Sequence, residues 1–300
     1  MSIITTVEAV PSRLYAIYAS LFTSENGEGR ERLESWATPP SLKNSGEDGE
    51  GPATALFVHS LQEARRLGLI EEASDRVSLT SEARNGGKKG DDSEAFFRAY
   101  MLKTLFDPVR AEETQQSAFM VALTWLLSTN PLKPMSFSDD PNVAIKMVIG
   151  EHARKTDCTI ALNYQNMLYW ARYLGFATVV GNGTSRRVIP NPITAIAEAL
   201  PAIFADDNEL PIENFLTRLA AIYPVFEKGS VRERFDEMRL VPPSGLDTRL
   251  SATTSIALQR LADGQRLRLR SAADAPARIL DFGAREGRVS HIALLGTDNA

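Results

Sequence analysis

Sulfur and imidazole are scarce in this chain. The single cysteine, Cys158, excludes an internal disulfide framework, and the three histidines, His59, His152 and His291, assemble no zinc-ligand spacing. Long apolar runs are lacking as well. No stretch approaches the roughly 18 uncharged residues that a membrane span requires, and the opening MSIITTVEAVPSRLYAIYASLF has no basic start followed by a long apolar core. A soluble, cytoplasmic protein without a membrane partner is the expectation. Positive charge is in deficit, with 33 lysines and arginines against 38 acids and a net charge of −5. That balance argues against indiscriminate coating of phosphate backbones, which takes many cationic contacts, and it leaves a local basic face open.

Motifs of catalysis are missing too. Gly86-Gly87-Lys88-Lys89-Gly90 has neither the spacing nor the strand-to-helix setting of a phosphate loop, and Gly181-Asn182-Gly183 has no third glycine before a helix. No G-x-S-x-G elbow precedes a helix, and Cys158 has no identifiable histidine partner. Asp139, Asp140, Glu151 and His152 come nearest to a nuclease-type metal cluster, but their neighbours read as loop and helix, so they are better taken as solvated charge. No catalytic residue, metal ligand or cofactor can be named, and a non-enzyme is expected.

What the sequence does contain is a repeated plan. With 43% hydrophobic and 24% charged residues, 300 residues suffice for two or three domains. In Ala53–Leu67 the residues Phe57, Leu61, Ala64 and Leu67 recur at three- and four-residue intervals, giving a helix with one buried stripe that stops at Gly68, where positive φ is needed. Leu69–Ile70 and Val77–Leu79 then read as a small hairpin, and Pro11–Thr23 and Arg30–Trp36 as helices upstream. Leu168, Ala171, Leu174 and Gly175 repeat the L-x-x-A-x-x-L-G pattern, followed by strands Ala177–Val180 and Arg186–Ile189 around the turn at 181–183. A looser third copy places Ile256, Leu258 and Leu261 on a helix ended by Asp263-Gly264, then a strand with Leu267 and Leu269, then two strands, Arg278–Phe282 and Val289–Leu294. The predicted fold class is α+β, mainly α with small β-wings, arranged as tandem winged helix-turn-helix modules.

Composition sets the predicted boundaries. Ser41–Gly51 and Ala83–Glu94 are charged, glycine-rich and almost without apolar residues, so the first is expected as a loop and 83–94 as a flexible linker. This gives an N-terminal module at 1–82, a middle module at 95–205 opened by helices Ala95–Phe106 and Gln115–Leu127, and a C-terminal module at 206–300 whose first helix is Pro211–Tyr223.

Eight arginines face five acids between positions 249 and 300. Arg266, Arg268 and Arg270 alternate with Leu267 and Leu269 and so share one strand face, a spacing able to track a phosphate backbone or an acidic partner. Arg285 and Arg288 follow, Arg186 and Arg187 occupy the second wing, and Arg65 and Arg66 end the first long helix beside Glu63, Glu71 and Glu72. These nine are the candidate DNA- or partner-binding residues.

The phrases VEAVPSRL, PIENFLTRLAAIYPVFEKG and SATTSIALQRL…DAPARILDFG…RVSHIALL resemble the DpdG family, encoded in bacterial islands that insert 7-deazaguanine derivatives into DNA and restrict foreign DNA. The resemblance implies an accessory subunit of an anti-phage restriction complex, working beside helicase, ATPase or nuclease partners, and supplies no catalytic residue. Three readings stay open: modules that bridge partners and contact double-stranded DNA, a kleisin-like scaffold without DNA contact, and a DNA-binding transcriptional regulator.

Overall fold

Three times along the chain a helix closes with the same backbone hydrogen bond and releases a strand. A computed structural model describes residues 2–37, 52–242, 245 and 248–295 and divides into two units, Met1–Ser117 and Ala118–Ala300. The expected loop Ser41–Gly51 lies outside the described residues.

The first unit runs α1 (Pro11–Phe22), β1 (Glu28–Gly29), α2 (Arg30–Ala37), α3 (Pro52–Arg66), β2 (Ile70–Ala73), β3 (Arg76–Leu79), α4 (Ser81–Arg84), α5 (Ser93–Phe106) and α6 (Pro108–Glu113). Its antiparallel sheet has the order β1-β3-β2. The stripe Phe57, Leu61, Ala64 and Leu67 is buried as its spacing requires. Gly68 ends α3 at φ +70°, and the amide of Leu69 donates to the carbonyl of Ala64 at 2.9 Å.

In the second unit the order is α7 (Ser117–Leu127), β4 (Met135–Ser136), α8 (Asn142–Ile149), a 3-10 segment at Gly150–Thr156, α9 (Ala161–Tyr173), β5 (Ala177–Val180), β6 (Arg187–Pro190) and α10 (Ile193–Phe204). It continues with β7 (Glu209–Pro211), α11 (Ile212–Ile222), α12 (Ser230–Glu237), α13 (Ala252–Asp263), β8 (Leu267–Arg270), β9 (Arg278–Asp281), β10 (Glu286–Val289) and β11 (His291–Leu294). Its antiparallel sheets are ordered β4-β6-β5 and β7-β11-β8, with β9 and β10 as a separate hairpin. Leu168, Ala171 and Leu174 are fully buried, Gly175 sits at φ +86°, and Phe176 N–H donates to Ala171 at 2.8 Å. Arg266 N–H makes the same bond to Leu261 at 2.9 Å, but the left-handed residue there is Gln265 at φ +56°, not Gly264. At the far end of each pair of strands Thr80, Asn191 and Leu295 donate back to Leu69, Phe176 and Arg266. The three copies therefore correspond in backbone hydrogen bonding through the helix end and the strand that follows.

Several boundaries fall elsewhere than composition suggests. The stretch 83–94 is held to the first unit rather than left as a free linker. Ala83 is buried and its carbonyl accepts the Tyr18 hydroxyl at 2.8 Å, while Arg84 donates to the carbonyls of Leu21, Phe22 and Ser24. Helix α5 packs on α1 through Phe97, whose ring lies 5.2 Å from Tyr18 and 5.7 Å from Tyr15, so it closes the first unit instead of opening the second. Likewise α10, assigned by sequence to the middle module, packs against α11 and α13, with Phe204 6.0 Å from Phe215. The single strand expected at Val289–Leu294 is two, because the chain changes partner at Ser290 from β9 to β8.

Candidate functional site

Strand geometry sorts the arginines of the third sheet. In β8 Leu267 is buried, Leu269 is half-buried, and Arg268 and Arg270 are exposed on the opposite face; Arg266, one residue before the strand, is exposed as well. Beneath them Leu269 pairs with Ile292 and Ile292 with Leu210, which close the inner face. The outer face is not uniformly free. Arg270 donates through one nitrogen to both oxygens of Glu209 at 2.8 and 2.9 Å, whereas the guanidinium groups of Arg266 and Arg268 have no partner among the described residues. Arg260, exposed in the last turn of α13, is unpaired in the same sense. Sequence reasoning counted it in the local charge excess but not in the site; its place beside the closing bond from Arg266 to Leu261 needs the helix end to be known.

The other candidates scatter. Arg288 is exposed on β10 with no side-chain partner among the described residues, and Arg285 stacks on Phe282 at 5.1 Å. Arg186 folds back, with its guanidinium 3.9 Å above the Phe137 ring and Nε donating to Gly183 at 3.2 Å, so its cation–π and hydrogen-bond partners lie within its own module. Arg187 is exposed and donates to the Arg186 carbonyl. Arg65 is exposed with no side-chain partner among the described residues, while Arg66 is bound to Glu63 at 2.6 Å.

Among the described residues, the buried carboxylates Glu63 and Glu227 and the half-buried Glu213 are all engaged by neighbours. Glu63 accepts from Arg66, from Gln116 Nε2 at 2.8 Å and from Thr6 Oγ1 at 3.0 Å, and burial pushes its carboxyl up despite those partners. Glu227 accepts from the Ser251 amide at 2.8 Å and the Thr254 hydroxyl at 2.9 Å; burial raises its carboxyl, but Arg232 and those donors outweigh it and hold it low. Glu213 is held down at about 2, first by the hydrogen bond from Arg278 (2.5 Å) and then by Lys228 (3.0 Å). Complete burial pushes the Cys158 thiol well up. Asp139, Asp140, Glu151 and His152 are all exposed, and no three metal-ligating side chains converge among the described residues. None of the described helices is long and apolar enough to cross a membrane.

Large apolar side chains also reach the surface of the second unit. Val143 and Met147 lie one turn apart on α8, and Leu240 is tied to that helix by its amide donating to the Val148 carbonyl at 2.9 Å; Val241 follows. Leu162 and Tyr169 are exposed on α9.

Compared with known proteins, residues 1–275 match a family model described as DpdG-like. No curated protein and no solved structure matches.

Proposed function

The chain belongs to the DpdG-like family, and on that premise we propose that it serves a 7-deazaguanine DNA-modification and restriction system as a non-catalytic subunit of tandem winged-helix modules. One observation carries the reading. In each three-stranded sheet a short strand ahead of the second helix pairs with the last strand of the following hairpin or its equivalent, in the orders β1-β3-β2, β4-β6-β5 and β7-β11-β8, an arrangement that supports a winged helix-turn-helix reading.

The side chains favour binding over reaction. A fully buried, protonated thiol at Cys158 is no nucleophile, and the oxygens of Glu63, Glu213 and Glu227 are engaged by neighbours. The exposed apolar residues of α8, α9 and 240–241 suit a protein partner such as a helicase, ATPase or nuclease subunit, and the unpaired arginines suit DNA. A scaffold without DNA contact is the second reading, favoured by the net charge of −5. A transcriptional regulator is less well supported, because a repressor's recognition helix is usually strongly basic, whereas the exposed residues of α3 are Ala55, His59, Gln62 and Arg65 and those of α9 are Leu162, Tyr169 and Arg172, one arginine on each.

Isolation of the tagged chain from its native locus tests the role. Co-recovery of one or more proteins encoded beside it is expected, with no DNA cleavage by the purified chain in added divalent metal. Recovery of the chain alone would remove the bridging role. Metal-dependent cleavage abolished by Asp139→Asn or Asp140→Asn would replace it with an enzyme's.

A further inference from the structure

The same scaffold positions carry different chemistry in the three wings. After the helix-closing bond the first copy buries Leu69 and the second Phe176, but the third exposes Arg266. Two residues on, the side chain pointing away from the core is Glu71, then Thr178, then Arg268; two further on it is Ala73, Val180 and Arg270. At these positions the strand is acidic in the first module, neutral in the second and cationic in the third. After Lys228 the chain also uses eleven arginines and no lysine, and the planar guanidinium matches phosphate oxygens two at a time.

From these exchanges we infer that the outer face of the third wing binds the phosphate backbone of nucleic acid without regard to base sequence, through Arg260, Arg266 and Arg268. The inference rests on the winged-helix reading above and adds where and how the polyanion is held. Arg266 and Arg268 stand two residues apart on one strand edge, about 6.6 Å from one another along the chain. Arg260 joins them because the Arg266 amide is bonded to Leu261, the next residue of α13. Arg270 is excluded by its pairing with Glu209.

Two features favour nucleic acid over an acidic protein and phosphate over bases. Between Pro242 and Leu295 no large apolar side chain is exposed among the described residues, so the face lacks the apolar centre of a protein–protein interface and has the polar, cationic character of a nucleic-acid one. One flank of α13 is walled by the β9–β10 hairpin, where the Asp281 amide donates to Ser255 Oγ at 2.9 Å. Its outward strip offers Gln259, whose amide is engaged by Asp263 at 2.7 Å, which leaves little for reading base edges.

Fluorescence anisotropy of the full chain with labelled duplexes of several unrelated sequences tests this. Three phosphate contacts give a slope of about −2.7 in log affinity against log salt, a roughly 40-fold loss between about 50 and 200 mM. The double variant Arg266→Ala/Arg268→Ala should fold as the parent does, lower the slope magnitude by about 1.8 and lose only roughly threefold over that range. Glu209→Gln, which frees Arg270, should raise the slope magnitude by about 0.9. No binding by the parent, a preference among the duplexes, or an unchanged slope in the double variant would each overturn the inference while leaving co-recovery of native partners, and so the subunit role, intact. Loss of a co-recovered protein in the double variant without any duplex binding by the parent would overturn it in favour of an acidic protein partner.

Discussion

At the scale of single residues, the position after each long helix is where the three copies diverge most instructively. Gly68 and Gly175 adopt positive φ without a side chain to object, but Gln265 does so with one. Gln265→Gly should therefore raise stability by about 0.5 kcal/mol, the relief of left-handed strain less the entropy that glycine adds to the unfolded chain. Gly68→Ala should lower it by about 1–2 kcal/mol, since its Cβ would also stand 3.1 Å from the Tyr100 hydroxyl; urea melts of both variants check the pair. Glu213 supplies a pH test. Its carboxyl is about 2 in the fold against 4.5 unperturbed, so its contribution is complete above about pH 4.5 and is lost as pH falls through about 2. Glu213→Gln should lower the melting temperature at neutral pH and narrow its gap to the parent across that acid window. Sequence periodicity located the two glycines but misplaced the third cap at Gly264, because a helix end is read from glycine and here a glutamine takes the turn. The arginine face was legible for Arg266 and Arg268 through simple alternation. The pairing of Arg270 was not, since Glu209 is distant in sequence and reaches it only across β11.

At the scale of elements, long helices and local hairpins were legible and short distant strands were not. Helices α1, α3 and α9 carry buried stripes at helical spacing, and β2–β3 and β5–β6 are joined by short connections. Strands β1, β4 and β7 span only two or three residues and pair with partners far along the chain, so no alternation exists to reveal them. Boundaries shifted for a related reason: nothing in the residues of α5 and α10 names the neighbours they pack on, α1 for the one and α11 and α13 for the other. Helix α12 depends on close backbone approach at its start. A Cβ at Gly229 would overlap the Pro224 carbonyl oxygen, which also accepts the Arg232 amide at 3.0 Å. Gly229→Ala should cost roughly 2–3 kcal/mol, whereas Gly183→Ala, with no atom near its Cβ, should cost only about 1 kcal/mol for its left-handed φ; thermal melts of the two distinguish crowding from conformation.

For the whole molecule, the division at Ser117 and Ala118 predicts two separately cooperative pieces. The first needs Gln116, which accepts the Ile3 amide at 2.7 Å and donates to the buried Glu63. A fragment ending at Ser117 should melt cooperatively, and one ending at Glu113 should be less stable by about 2–3 kcal/mol, the cost of leaving a buried carboxylate and amide without that partner; circular dichroism of both fragments is the measurement. The hairpin set between β8 and β11 has a kinetic counterpart. The first two sheets join β2 to β3 and β5 to β6 across a few residues, but β8 meets β11 only after the chain has looped through 271–290, and β7 meets β11 across still more. Closing such loops costs entropy before any contact repays it, and non-local pairing slows folding. The arginine-bearing sheet should thus be the last part of the chain to mature, leaving its inner leucines open to solvent while the earlier sheets are already formed.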